Sequence, residues 1–161
     1  MIARRRLGPN LNWGIIVPVV SGALLAVALG MVICFVVALA GGDGGTLAFG
    51  APAAVALPLA VLGVLSARRL PSAPLRARDG FFAVTMAWVA AAAVGAVPFL
   101  LHGTFSAYVD AFFESMSGFS TTGATLLEDI EAEAESILLW RSLMQWIGGV
   151  GIVVLVVAIA P

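Results

Sequence analysis

Four long apolar runs decide what kind of solvent this chain can fold in. They lie near Ile15 to Ala40, Ala48 to Ala67, Phe81 to Leu101 and Ser136 to Ala160. Each approaches or exceeds the roughly 20 residues that carry a helix across the hydrocarbon of a bilayer. Inside lipid a backbone has no water to bond, so a spanning segment must satisfy its own amides and carbonyls, and a helix does so. Charge agrees: 11% of the residues are charged and 61% are apolar, where an ordinary soluble domain carries about 25% charged residues. The expectation is an all-α membrane protein with membrane lipid around it and no nucleic-acid partner.

The polar segments between the runs set orientation and boundaries. Every basic residue is arginine: Arg4, Arg5 and Arg6 form a basic head, and Arg68, Arg69, Arg76 and Arg78 crowd a linker that also holds Pro71 and Pro74. Basic residues mark cytoplasmic loops, which puts the N-terminus and this linker inside; the expected location is the cell inner membrane, as a multi-pass protein. A basic head before an apolar run also describes a signal peptide, and Ala38-Leu39-Ala40 resembles a cleavage site. Signal-peptide cores run about 7–15 residues, and Ile15 to Ala40 is far longer, so a retained helix is favoured. Gly41 to Gly45 reads as a turn around Asp43. Pro52 suits the first turn of the second helix, Pro58 is expected to kink it, and Pro98 to kink or end the third. The linker divides residues 1–75, a helix pair, from residues 76–161. Cys34, the single cysteine, sits in an apolar run and reads as packing. His102, at a span end, reads as a solvated interfacial residue or, less simply, a sensor.

Between the third and fourth runs stands DAFFESMSGFSTTGAT, Asp110 to Thr125. It is too short and too polar at its end to cross a membrane. Non-helical backbone survives at membrane depth only when buried in protein or lining a wet cavity, so the stretch is expected to enter as a half-helix and return as a loop. Asp110 is placed to cap the free amides at the helix start, and the negative end of the helix dipole then points to the membrane middle, which favours a cation. Ser117 and Gly118 mark the helix exit; Gly118 and Gly123 let the backbone leave helical geometry. The carbonyls of Thr121, Thr122 and Gly123 are candidates to replace a cation's hydration shell. The alternative is a polar loop packed between helices with no ion. Glu128, Asp129, Glu131, Glu133 and Glu135 follow as an acidic loop that either gathers cations at a pore mouth or is simply solvated.

On the fourth run Arg141, Gln145 and Gly148 share one helix face, and Gly148, Gly149 and Gly151 permit close helix approach. Packing of this face on the half-helix is expected. An arginine within a span is normally paired; Glu114 is the proposed partner, with snorkelling of Arg141 to the outer surface as the alternative.

FFESMSGFSTTGAT followed by LLWRSLMQWIGGVGIVVLVVAIAP closely resembles the first pore repeat of TrkH-type subunits in the Trk/Ktr/HKT potassium transporter superfamily, and RARDGF resembles the entry to that repeat. The resemblance implies four helix–pore-loop–helix repeats around one pore, with this chain carrying the first, so that four transmembrane helices are joined by one re-entrant pore half-helix and a filter loop. It implies that K+ is the transported ion, bound by the backbone carbonyls of Thr121, Thr122 and Gly123, with Ala124 and Thr125 at the outer edge and Asp110, Glu114, Ser117, Gly118 and Arg141 in support. Glycine rather than serine at Gly123 favours potassium over sodium. It also implies a homodimer beside a cytosolic nucleotide-binding regulatory subunit, no organic cofactor and no enzymatic activity. One repeat cannot close a four-repeat pore: either the sequence is an N-terminal fragment, which is favoured, or four copies assemble as in two-span channels. A structural membrane anchor that passes no ion is the reading from a different class. An intramembrane hydrolase has little support, because His102 and Ser120 lack a Gly-x-Ser-Gly context and an orienting carboxylate.

Overall fold

The structure, a computed structural model, describes residues 11–70 and 76–159, with side chains at all of these except 77 and 154–159. The basic head Arg4–Arg6 and the linker prolines Pro71 and Pro74 lie outside the described residues. Six helices follow in order: α1 Trp13–Gly41, α2 Thr46–Ala67, α3 Ala77–Gly95, α4 Val97–His102, α5 Tyr108–Phe119 and α6 Glu135–Ile159. Four segments are long and apolar enough to span a bilayer: Trp13–Gly41, Thr46–Ala67, Arg78–His102 and Glu135–Val153. Their surfaces carry Leu29, Ile33, Val36 and Leu39 on α1 and Val55, Leu59 and Leu62 on α2, all exposed. Apolar side chains turned outward at helical spacing are what a lipid-facing wall requires.

The third span is α3 and α4 together. Proline lacks an N–H, so Pro98 cannot donate to the carbonyl one turn back, and the helix breaks at Ala96 as its sequence leads one to expect. Side chains from elsewhere serve the carbonyls on the approach to the break: Tyr108 donates its hydroxyl to Ala93 at 3.0 Å and Trp140 its indole N–H to Gly95 at 3.0 Å. One expectation for α2 needs correction. The helix begins at Thr46, so Pro52 lies in its second turn rather than its first, and the helix continues past Pro58. A helix shielded from water tolerates proline, because the freed backbone groups find no competing solvent.

The centre of the bundle is Trp140 on α6, fully buried. Phe49 of α2 and Phe119 of α5 meet it edge-on, with ring centroids at 6.1 and 6.3 Å, the arrangement the ring quadrupoles favour. α1 and α6 come together where Gly30 presents no side chain to Trp140. Trp140 therefore touches α1, α2 and α5 and hydrogen-bonds α3. At one end of the bundle, Asp43 in the α1–α2 turn accepts N–H bonds from Gly45 at 3.0 Å and from Ser136, in the first turn of α6, at 2.9 Å. A carboxylate from a distant loop thus caps α6, where the free amides and positive dipole end favour an anion. Glu135, read from the sequence as part of the acidic loop, is the first residue of that helix.

Candidate functional site

α5 has 12 residues, so at 1.5 Å per residue it is about 18 Å long and falls well short of the roughly 30 Å hydrocarbon core. It starts after Ala107 and packs on α3 and α6. Asp110 stands in its first turn but makes no capping hydrogen bond. The expected cap is replaced by Ala107 in extended geometry, and Asp110 contributes only its charge at the positive helix end.

The C-terminus of α5 and the loop after it form a knot of hydrogen bonds. The amide of Thr121 donates to Gly118 O at 3.0 Å, and those of Thr122 and Gly123 converge on Ser117 O at 3.0 and 3.4 Å. Two residues with positive φ make this possible: Thr121 at 58° and Gly123 at 75°. Glycine takes that geometry without penalty. A β-branched threonine does not, and an outlier of this kind costs about 1–3 kcal/mol unless its surroundings hold it.

The amide directions fix the carbonyl directions. In a planar trans peptide the C=O points opposite to the N–H, and no cis bond occurs among the described residues. Three amides turned back onto α5 therefore send the oxygens of Ser120, Thr121 and Thr122 onward, away from the helix end. None of these oxygens, nor that of Gly123, accepts a hydrogen bond among the described residues, and residues 120–124 are exposed. Four consecutive carbonyls are thus open on one loop. The Ser120 carbonyl was not among the filter oxygens expected from the sequence, since its direction depends on the positive φ of Thr121, which a Ser-Thr-Thr run gives no reason to expect. Ala124 differs from its neighbours: the Ser117 hydroxyl donates to its oxygen at 2.6 Å, which ties that carbonyl back toward α5.

Behind the loop sits Glu114, 3% exposed. Its carboxylate accepts the Leu126 amide at 3.0 Å and Arg141 Nε at 2.8 Å. The Thr125 hydroxyl lies 2.9 and 3.0 Å from its two oxygens, and Thr125 Oγ1 in turn accepts the Leu127 amide at 3.1 Å. The proposed partner of Arg141 is therefore the one found, and snorkelling is not. A buried carboxylate is tolerable when its lone pairs are filled and its charge is matched, and here the filling donors come from the loop itself. The face of α6 that reads Arg141, Gln145, Gly148 lies on α5 and the loop. A side chain at Gly148 would collide with the Phe119 carbonyl, so the two helices meet backbone to backbone there.

At the other end of the loop, Thr104 Oγ1 lies 3.1 Å from His102 Nδ1 and donates to Glu133 at 3.2 Å. Glu128, Asp129 and Glu131 are exposed and Glu133 partly so. No cluster of three or more His, Cys, Asp or Glu side chains with metal-binding spacing occurs among the described residues.

This is an all-α, multi-pass membrane protein whose third and fourth spans bracket a short helix and a loop of free carbonyls. The family model for TrkH, described as a cation transport protein, matches residues 53–161, and the chain belongs to that family. Over its whole length it is 34% identical to the Trk system potassium uptake protein TrkI of Halomonas elongata, of which it spans 33%. Over 88 residues, 54% of the chain and 18% of the relative, it is 46% identical to the Trk system potassium uptake protein TrkH of Escherichia coli K12. The crystal structure of the potassium transporter TrkH from Vibrio parahaemolyticus superposes with a TM-score of 0.80 at 32% identity, covering 92% of this chain and 32% of that one. The chain thus spans about a third of the length of the full-length relatives it matches.

Proposed function

We infer that this chain supplies one wall of a potassium-conducting pore in the cell inner membrane, with α5 as a re-entrant half-helix and the oxygens of Ser120, Thr121, Thr122 and Gly123 as its share of the ion-binding filter. The observation that carries this reading is the set of amides at residues 121–123 turned onto α5, which leaves successive carbonyls free to stand in for a dehydrated cation's water. The similarity to proteins named for potassium uptake supports K+ as the ion. Ala124, tied to Ser117, and Thr125, tied to Glu114, act as the rim that holds the filter rather than as ligands. Asp110, Ser117, Gly118, Glu114 and Arg141 support it. The N-terminus and the Arg68–Arg78 linker face the cytoplasm by arginine placement, and residues 1–75 form a helix pair beside the pore repeat in 76–161. Three further filter repeats, or three further copies, complete the ring. The whole protein works as a transporter and not an enzyme, as a homodimer with a cytosolic nucleotide-binding regulator.

Replacement of Gly123 by valine tests this. Positive φ and a branched side chain oppose each other there, so K+ flux in a strain dependent on this transporter should fall at least tenfold while the protein still reaches the membrane. Unchanged flux would support a purely structural anchor instead.

A further inference from the structure

A small cavity lies behind the filter, lined by Glu114, Ser117, Ala124, Arg141, Met144 and Gln145. Its volume, about 10 Å³, is about that of one water site, and the surface it presents is mostly polar. The groups around it hold unspent hydrogen-bonding capacity. Arg141 uses Nε for Glu114 and donates no other hydrogen bond among the described residues. The Ala124 oxygen has accepted one bond, from Ser117, of the two it can take. Gln145 makes no hydrogen bond among the described residues, and its amide nitrogen stands 3.8 Å from where a Cβ on Gly123 would be. Gln145 is therefore the side chain of α6 nearest the point where the filter turns from free carbonyls to tied ones.

We propose that Gln145 is a positioning residue for the filter, which together with one water held between Arg141 and the Ala124 carbonyl holds the Ala124–Thr125 peptide, and through it the setting of the Gly123 carbonyl one residue before, and so tunes the discrimination of K+ from Na+. A water in a polar cavity needs two to four partners, and Arg141, Ala124 and Gln145 supply them. Without the Gln145 amide the Ala124–Thr125 peptide is restrained by Ser117 on one side only. The Gly123 oxygen before it then wanders, and a looser ring of oxygens accommodates the smaller ion better. This inference rests on the pore reading above.

The test uses the intact transporter in a strain lacking other potassium uptake, with Rb+ uptake as the flux measure and Na+ competition as the selectivity measure. Gln145→Met keeps length and removes the hydrogen-bonding head; Gln145→His keeps a neutral N–H donor. Gln145→Met should lower K+ preference over Na+ about three- to tenfold, the size of effect that one lost hydrogen bond produces, at unchanged membrane abundance. Gln145→His should retain most of it. Equal selectivity in wild type and Gln145→Met, with Gly123→Val still inactive, overturns the role of Gln145 and leaves the pore reading standing. Absence of cation flux in the wild type overturns both. If Gln145→Met proves too scarce to assay, Gln145→Leu is measured per molecule in proteoliposomes, and an unchanged ratio there counts equally against the proposal.

Discussion

At the scale of single residues, Glu114 explains why an irregular loop holds one conformation. Its two oxygens gather the Leu126 amide, the Thr125 hydroxyl and Arg141 Nε, so one carboxylate joins α5, the loop after it and α6. Removing one member of a buried pair leaves the other charge without compensation, which typically costs 3–5 kcal/mol. Arg141 keeps 16% of its side chain exposed, and solvent reaching it should bring the loss for Glu114→Gln to about 2–3 kcal/mol. Thermal unfolding of the purified protein in detergent should show the loss. Arg141→Gln, combined with it, should recover part of the loss, because neither charge is then stranded. A double variant less stable than either single variant would mean the two residues act independently. Glu114 and Arg141 could be matched from the sequence, since an arginine in a span needs an anion and the half-helix offers one. The left-handed turn at Thr121 could not, because nothing in Ser-Thr-Thr shows which amides will be recruited by Ser117.

At the scale of elements, the contact of α5 with α6 is set by what is missing from Gly148. A Cβ there would meet the carbonyl of Phe119, and that carbonyl belongs to fixed backbone rather than to a side chain able to swing away. At Gly149 the nearest atom to an added Cβ is Thr121 Cγ2 at 3.9 Å, an ordinary contact. Neighbouring glycines thus predict opposite outcomes. Gly148→Ala should push the end of α5 and the loop proposed as a filter out of place and abolish the proposed K+ uptake, while Gly149→Ala should retain most of it, both scored at matched membrane abundance in a complementation assay. Equal activity would mean that α6 slides to make room. The helices themselves were legible because long apolar runs admit only one backbone solution in lipid. Their ends were less so. Pro52 read as a first-turn residue, whereas α2 begins at Thr46 and has it in the second turn. Asp110 read as a cap from its place near the helix start, whereas the chain enters α5 three residues earlier, at Ala107.

At the scale of the whole molecule, residues far apart in sequence meet at the two places that fix the bundle. Trp140 draws four helices together in the interior, and Asp43 ties the α1–α2 turn to the start of α6 across 93 positions. Neither partnership has a local pattern to announce it. Asp43 looked like an ordinary turn residue in a glycine-rich stretch, and only the fold brings α6 under it. Partial burial raises its pKa, but hydrogen bonds from Gly45 and Ser136 and the nearby charge of His102 outweigh that and leave it below its ordinary value. A carboxyl group whose folded pKa is depressed stabilises the fold at every pH above its unfolded value, near 4, and loses that contribution as pH falls through the lower folded value. Asp43→Ala should therefore cost about 1 kcal/mol at neutral pH, in the range for a lost helix cap. The gap between wild type and variant should persist from neutral pH down to about 5 and close below about pH 4. Unfolding curves in detergent across that range give the measurement. The charge of His102 adds to the effect through space only, so a His102→Gln background should narrow the gap without removing it. If the wild-type and variant curves instead run parallel to the lowest pH, Asp43 works through its shape in the turn, and the ionised cap on α6 does not hold the turn to the bundle.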